Sequence, residues 1–90
     1  MFHVVIECQG LHPPDRLQAS RDIVEEFTHR LWHQDVSCAW VGENLRIEAH
    51  DDFDADGLAL RDEFSDAIVA SVANAEYTDL RVISVTEISS

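Results

Sequence analysis

From Phe2 to Gln9 the chain alternates, with Phe2, Val4, Ile6 and Cys8 on one side and His3, Val5 and Glu7 on the other. This period of two marks a strand. Gly10 closes it, and His12-Pro13-Pro14-Asp15 supplies a helix start, because proline fits a first turn and aspartate complements the positive end of the helix dipole. From about Pro14 to His33, Leu17, Ser20, Val24, Phe27 and Leu31 recur every three or four positions, flanked by Ile23, which predicts an amphipathic helix. Val36 to Val41 is a β-branched and aromatic run. Gly42-Glu43-Asn44 turns it into the strictly alternating Leu45 to His50, so the pair predicts a hairpin with Leu45, Ile47 and Ala49 toward the core. After an acidic loop, Asp51 to Asp56, a second helical stripe runs through Leu60, Phe64, Ala67, Ile68, Ser71, Val72 and Ala75 and ends near Asn74. Tyr77-Thr78-Asp79 then turns into a last strand, Leu80 to Ile88.

The order β-α-β-β-α-β predicts a ferredoxin-like α+β fold, a four-stranded antiparallel sheet with both helices on one face. Right-handed crossovers set the third strand antiparallel beside the first. Glu7 then falls near Arg46 and His3 near His50, on the sheet face that the helices leave open. On the flanking strands, either Val36-Cys38-Trp40 or Ser37-Ala39-Val41, and either Leu80-Val82-Ser84-Thr86-Ile88 or Arg81-Ile83-Val85-Glu87, must share that face. With Val5 among them it is too apolar to sit easily in water, which leads us to expect a homodimer packed sheet on sheet.

Composition narrows the classes. Ninety residues, 46% of them apolar, suit one domain over residues 1–90 with one core. Ten Asp and eight Glu against six Arg and no Lys give a formal charge of -12, which argues against nucleic acid or an anionic membrane as partner and permits a basic protein partner. Cys8 and Cys38 stand alone, without a CxxC spacing, and are expected to stay reduced in a cytoplasm. The apolar run at Phe2–Cys8 lacks a basic flank and is too short to span a bilayer, so the chain is expected to be soluble.

One stretch matches a ligand pattern. Asp52-Phe53-Asp54-Ala55-Asp56-Gly57, with Glu63 six places after the glycine, fits the spacing of a calcium loop. Three carboxylates would converge on the ion, Gly57 would make the bend, the Leu58 carbonyl would contribute, and Glu63 would close the site from the helix. The plainer reading is an acidic helix start, since aspartates there cap free N–H groups. The segment in front is also a strand, where a calcium-binding helix-loop-helix has a helix. A helix beginning near Leu60 would favour calcium, and one beginning at Asp54–Gly57 would favour the cap. No other cofactor is expected.

Histidine offers two further pairs. His3 and His50, with Glu48 or Asp52 as a third ligand, are candidates for a transition metal on the open face. His29 and His33 have the i, i+4 spacing of a ligand pair, but about 100° per residue sets them opposite the apolar stripe, facing solvent. With His3, His50 and the acidic loop they fall at one pole of the fold. Glu26 lies within the stripe and is expected to reach its edge or pair with Arg30. No nucleophile–base set and no glycine-rich phosphate loop is present.

These observations favour a non-enzymatic domain that self-associates and serves as an interaction or small-ligand-sensing module. Two alternatives remain open: an acidic antagonist, such as an immunity protein or inhibitor, of a basic nucleic-acid-binding partner, and a metal-dependent enzyme with its site on the open sheet face. Carboxylates gathered on one surface would favour the antagonist, and a concave pocket at His3 and His50 would favour the enzyme.

Overall fold

The computed structural model describes residues 1–88. Its elements are β1 (Phe2–Gln9), α1 (Arg16–Glu26) with a 3-10 turn at Phe27–His29, β2 (Gln34–Val41), β3 (Asn44–Asp51), α2 (Leu58–Ser71) and β4 (Asp79–Glu87). The strands form one antiparallel sheet in the order β2-β3-β1-β4. This is the expected ferredoxin-like βαββαβ arrangement. The register of the central pair is also as expected, Glu7 facing Arg46 and His3 facing His50. No helix among the described residues is long and apolar enough to cross a membrane.

The core lies between the sheet and the helices. Val4, Ile6 and Cys8 of β1 meet Leu45, Ile47 and Ala49 of β3, and both helices cover them with Ile23, Phe27, Leu60, Phe64 and Ile68. Edge strand β2 adds Val36, Cys38 and Trp40, so Ser37, Ala39 and Val41 stand on the open face. In β4 neither alternating set holds throughout. The pairing slips between Val5, opposite Ser84, and Ile6, opposite Val82. Ile83 is the extra residue of a β-bulge, which lets Leu80, Val82 and Val85 all reach the core.

Helix α1 is shorter than its pattern and rotated from it. Asp15 caps it, accepting from the Gln18 N–H at 3.1 Å. Its buried positions are Ala19, Ser20 and Ile23, followed by Phe27 in the 3-10 turn, while Leu17 and Leu31 are 59% and 80% exposed. The Thr28 hydroxyl donates to the Glu25 carbonyl at 2.7 Å where the helix tightens, and Arg30 at φ -111, ψ 75 leaves it. The expectation that His33 faces solvent is therefore corrected. The chain is no longer helical when it reaches His33, and the residue turns inward to 5% exposure. His29 stays exposed.

Gly57 is the N-cap of helix α2, in the left-handed region at φ 78. A Cβ there would lie 2.8 Å from Val82 and 3.3 Å from Val4, so both backbone sign and space require glycine. The helix ends at Ser71, three residues earlier than its apolar stripe suggests, because Val72 turns extended and still buries its side chain.

Candidate functional site

Two places in the fold gather polar side chains: the open sheet face, and a knot around His33 at one end of the helical layer.

On the sheet face each carboxylate has a partner. Arg46 donates to Glu7 at 2.8 Å, Arg81 to Asp79 at 2.6 Å, His3 meets Glu48 at 3.0 Å, and His50 meets Asp35 at 3.1 Å. Asn44 also donates to Glu7. The Arg46 hydrogen bond is the main reason that the Glu7 carboxyl lies below its ordinary range, against the opposing effect of burial. The imidazoles of His3 and His50 meet edge to face, 5.1 Å between centroids. Between these pairs lie Val5, which is buried, Ala39, and the half-exposed Val41 and Ile83. The fold thus brings His3, His50 and Glu48 together as the topology implied, while Asp52 lies on the loop beyond β3.

The acidic loop is organised as a helix start. Both Asp54 oxygens accept from the first turn of α2, from the N–H of Ala59 at 3.1 Å and of Leu60 at 3.0 Å, and Asp54 is buried. Asp56 accepts from the Leu58 N–H at 3.0 Å. Asp51 takes the N–H groups of Phe53 and Asp54 on its Oδ1. Asp52 is exposed. The helix begins at Leu58, between the two starts that separate the calcium and cap readings. Of the four candidate calcium ligands, Asp54 and Asp56 therefore serve backbone amides, and Glu63 is directed elsewhere. Among the described residues no three His, Cys, Asp or Glu side chains are arranged to hold a metal ion.

Glu63 belongs to the His33 knot. His33 Nε2 contacts Glu63 Oε2, and Nδ1 lies 3.4 Å from Asp51 Oδ2, at ion-pair range but off the hydrogen-bond direction. The His33 and Asp51 side chains are fully buried. One carboxylate thus faces each ring nitrogen. The Trp32 indole N–H donates to both Glu63 oxygens, at 3.0 and 3.1 Å, and Arg30 Nε lies 3.6 Å from Oε1. Arg30 also donates to the Glu26 carbonyl at 2.7 Å and stacks over Phe27, with the Glu26 carboxylate 3.9 Å away, the i, i+4 pairing the sequence suggested. Phe27, Trp32 and Phe53 surround the imidazole at 5.7, 6.2 and 5.9 Å between centroids. Sequence spacing gave no sign that His33, Asp51 and Glu63 meet, because the three lie 12 to 30 positions apart. The one available signal was the histidine itself, placed beside an aromatic after the helix pattern had weakened.

Of the five histidines, His29 alone lines a cleft of about 310 Å³ between the helices, with Asp22, Glu25 and Glu26. The thiols are not poised for chemistry: burial pushes Cys8 up to about 11 and Cys38 up to about 12. Positions 11–33 and 51–76, the helices and their loops, hold twelve of the 18 carboxylates and four of the six arginines, two thirds of each. Compared with known proteins, the chain matches no family model, no curated protein and no solved structure.

Proposed function

We propose that this chain is a non-enzymatic interaction module that self-associates by packing the open sheet faces of two copies together. The observation that supports this most directly is the polar pairing of that face. In a molecule of formal charge -12, Glu7 and Asp79 are paired with Arg46 and Arg81, and Glu48 and Asp35 are in hydrogen-bond contact with His3 and His50. A second copy meets less repulsion here than against the acidic helical layer. Ala39, Val41 and Ile83 supply apolar area between the pairs.

The size of the face agrees with a weak dimer. Four strands about 4.8 Å apart and eight residues long at about 3.3 Å each make a face of roughly 19 by 26 Å. Two such faces would bury about 1,000 Å² in all, the lower bound of a specific interface.

Sedimentation of the full chain across about 5–200 μM tests the reading, since a specific interface of this size binds in or near the micromolar range. The expected result is a monomer–dimer equilibrium that Val41→Glu or Ile83→Glu shifts to monomer. Val69→Glu, at an exposed position of α2 on the other side, should leave it unchanged. A mass of 10.2 kDa at every concentration refutes self-association, and equal sensitivity to Val69→Glu refutes the sheet face.

A further inference from the structure

Apart from the sheet face, the molecule exposes a second apolar surface where it is least expected. Leu31 is 80% exposed, and Trp32 and Phe53 are each half exposed, at the end of the helical layer. Large apolar groups left this open mark binding surfaces when they are grouped, and tryptophan is the residue type that most often dominates an interface.

These residues are grouped because the His33 knot holds both segments that carry them. Trp32 and Phe53 pack against the His33 ring. Glu63 fixes the Trp32 indole through its N–H, and Asp51 accepts from the Phe53 backbone N–H. A buried imidazole between two carboxylates therefore ties Leu31-Trp32 to Phe53 and presents them on a rigid base. Preorganisation of this kind lowers the ordering cost of binding.

The surroundings specify the partner's chemistry. Asp52 and Asp56, both exposed, lie in sequence on either side of Phe53. Arg30, which shares Glu63 with Trp32, is engaged by Glu63, Glu26 and Phe27. An apolar centre beside these aspartates complements a segment that offers one or two aliphatic side chains flanked by arginine or lysine.

We infer that Leu31, Trp32 and Phe53 form a docking surface for a basic protein segment with an aliphatic anchor, separate from the sheet face. The rim charges set its approach, and the apolar contacts set its residence.

A synthetic peptide, Arg-Lys-Leu-Leu-Arg-Lys with blocked ends, serves as the probe for the full-length chain. Backbone amide shifts and Trp32 indole fluorescence should change on titration, with the shifts confined to positions 30–33 and 51–56. The analogue with serine for both leucines, and the analogue with glutamate for all basic residues, should each bind at least about tenfold more weakly, the scale of one lost anchor or a reversed rim. Leu31→Ser, which removes a side chain that is 80% exposed, should weaken binding comparably while the melting temperature stays constant, and Phe53→Ser supplies an independent check. Equal affinity for the serine analogue reduces the effect to bulk charge and overturns the inference. So do shifts that map to the sheet face, no binding at millimolar peptide, or a Trp32 response to lipid vesicles in place of the peptide. Loss of self-association in Leu31→Ser would also overturn it, since the two surfaces would then be one.

Discussion

Replacing His33 with alanine should remove a large share of the folding free energy, because the buried imidazole stands between two carboxylates of the knot. Asp51 is fully buried, and its Oδ2 has no other partner, although Oδ1 keeps the N–H groups of Phe53 and Asp54. Glu63 suffers less, since Trp32 and Arg30 still hold it and it is partly exposed. Leaving a buried charge without its counterpart costs about 3–5 kcal/mol. The ring's contacts with Phe27 and Phe53 are lost as well. A domain of this length is stable by on the order of 5–13 kcal/mol in all. Urea denaturation at neutral pH should therefore show a drop of about 3–5 kcal/mol with little change in slope, and the melting temperature should fall by about 15–30 °C. The double variant His33→Leu with Asp51→Leu separates the pair from the packing. Removing both partners should cost less than the two single changes added together, by at least about 2 kcal/mol. A loss below about 1 kcal/mol in His33→Ala, or strict additivity in the double variant, would show that the knot carries no such energy.

Gly57→Ala should destabilise the fold by more than the about 1 kcal/mol typical of a left-handed glycine, since the added methyl meets Val82 at 2.8 Å; chemical denaturation measures it, and a neutral result would mean that β4 moves freely. Glu7 is held below its ordinary value of 4.5 chiefly by Arg46, so its contribution is present above that value and is lost as pH falls through the lower, folded one. The stability gap between the native chain and Glu7→Gln should accordingly be widest near neutrality and close in acid, and a gap that widens in acid contradicts the assignment. Cys8 and Cys38, raised to about 11 and about 12, should react with iodoacetamide at about pH 8 far more slowly in the folded chain than in urea, as mass spectrometry can follow. Calcium at about 5 mM should leave the melting temperature within about one degree, because Asp54 would have to abandon two amides of α2 to ligate it; a clear rise would show that the loop rearranges around the ion.

The alternation at Phe2–Gln9 and Leu45–His50 determined the central strands, their core faces and, through the topology, the pairings of Glu7 with Arg46 and His3 with His50. Those features are local or follow from a period of two, and the sequence carries them whole. It did not determine where α1 stops. The apolar period runs on past Phe27, whereas Thr28 and Arg30 tighten and end the helix, and only the three-dimensional contacts reveal that His33 finds Asp51 and Glu63 on the inside. The spacing from Asp52 to Glu63 has a similar lesson. The same string can wrap an ion or cap a helix, and only the fold shows that Asp54 and Asp56 accept from amides of α2 while Glu63 contacts His33 and Trp32. The bulge at Ile83 likewise depends on β4 having to bring both Val82 and Val85 to the core, a demand set by the partner strand and the packed helices. Period and charge are properties of a segment and can be read along it. Which carboxylate meets which base depends on side chains that only the closed fold brings within a few ångströms.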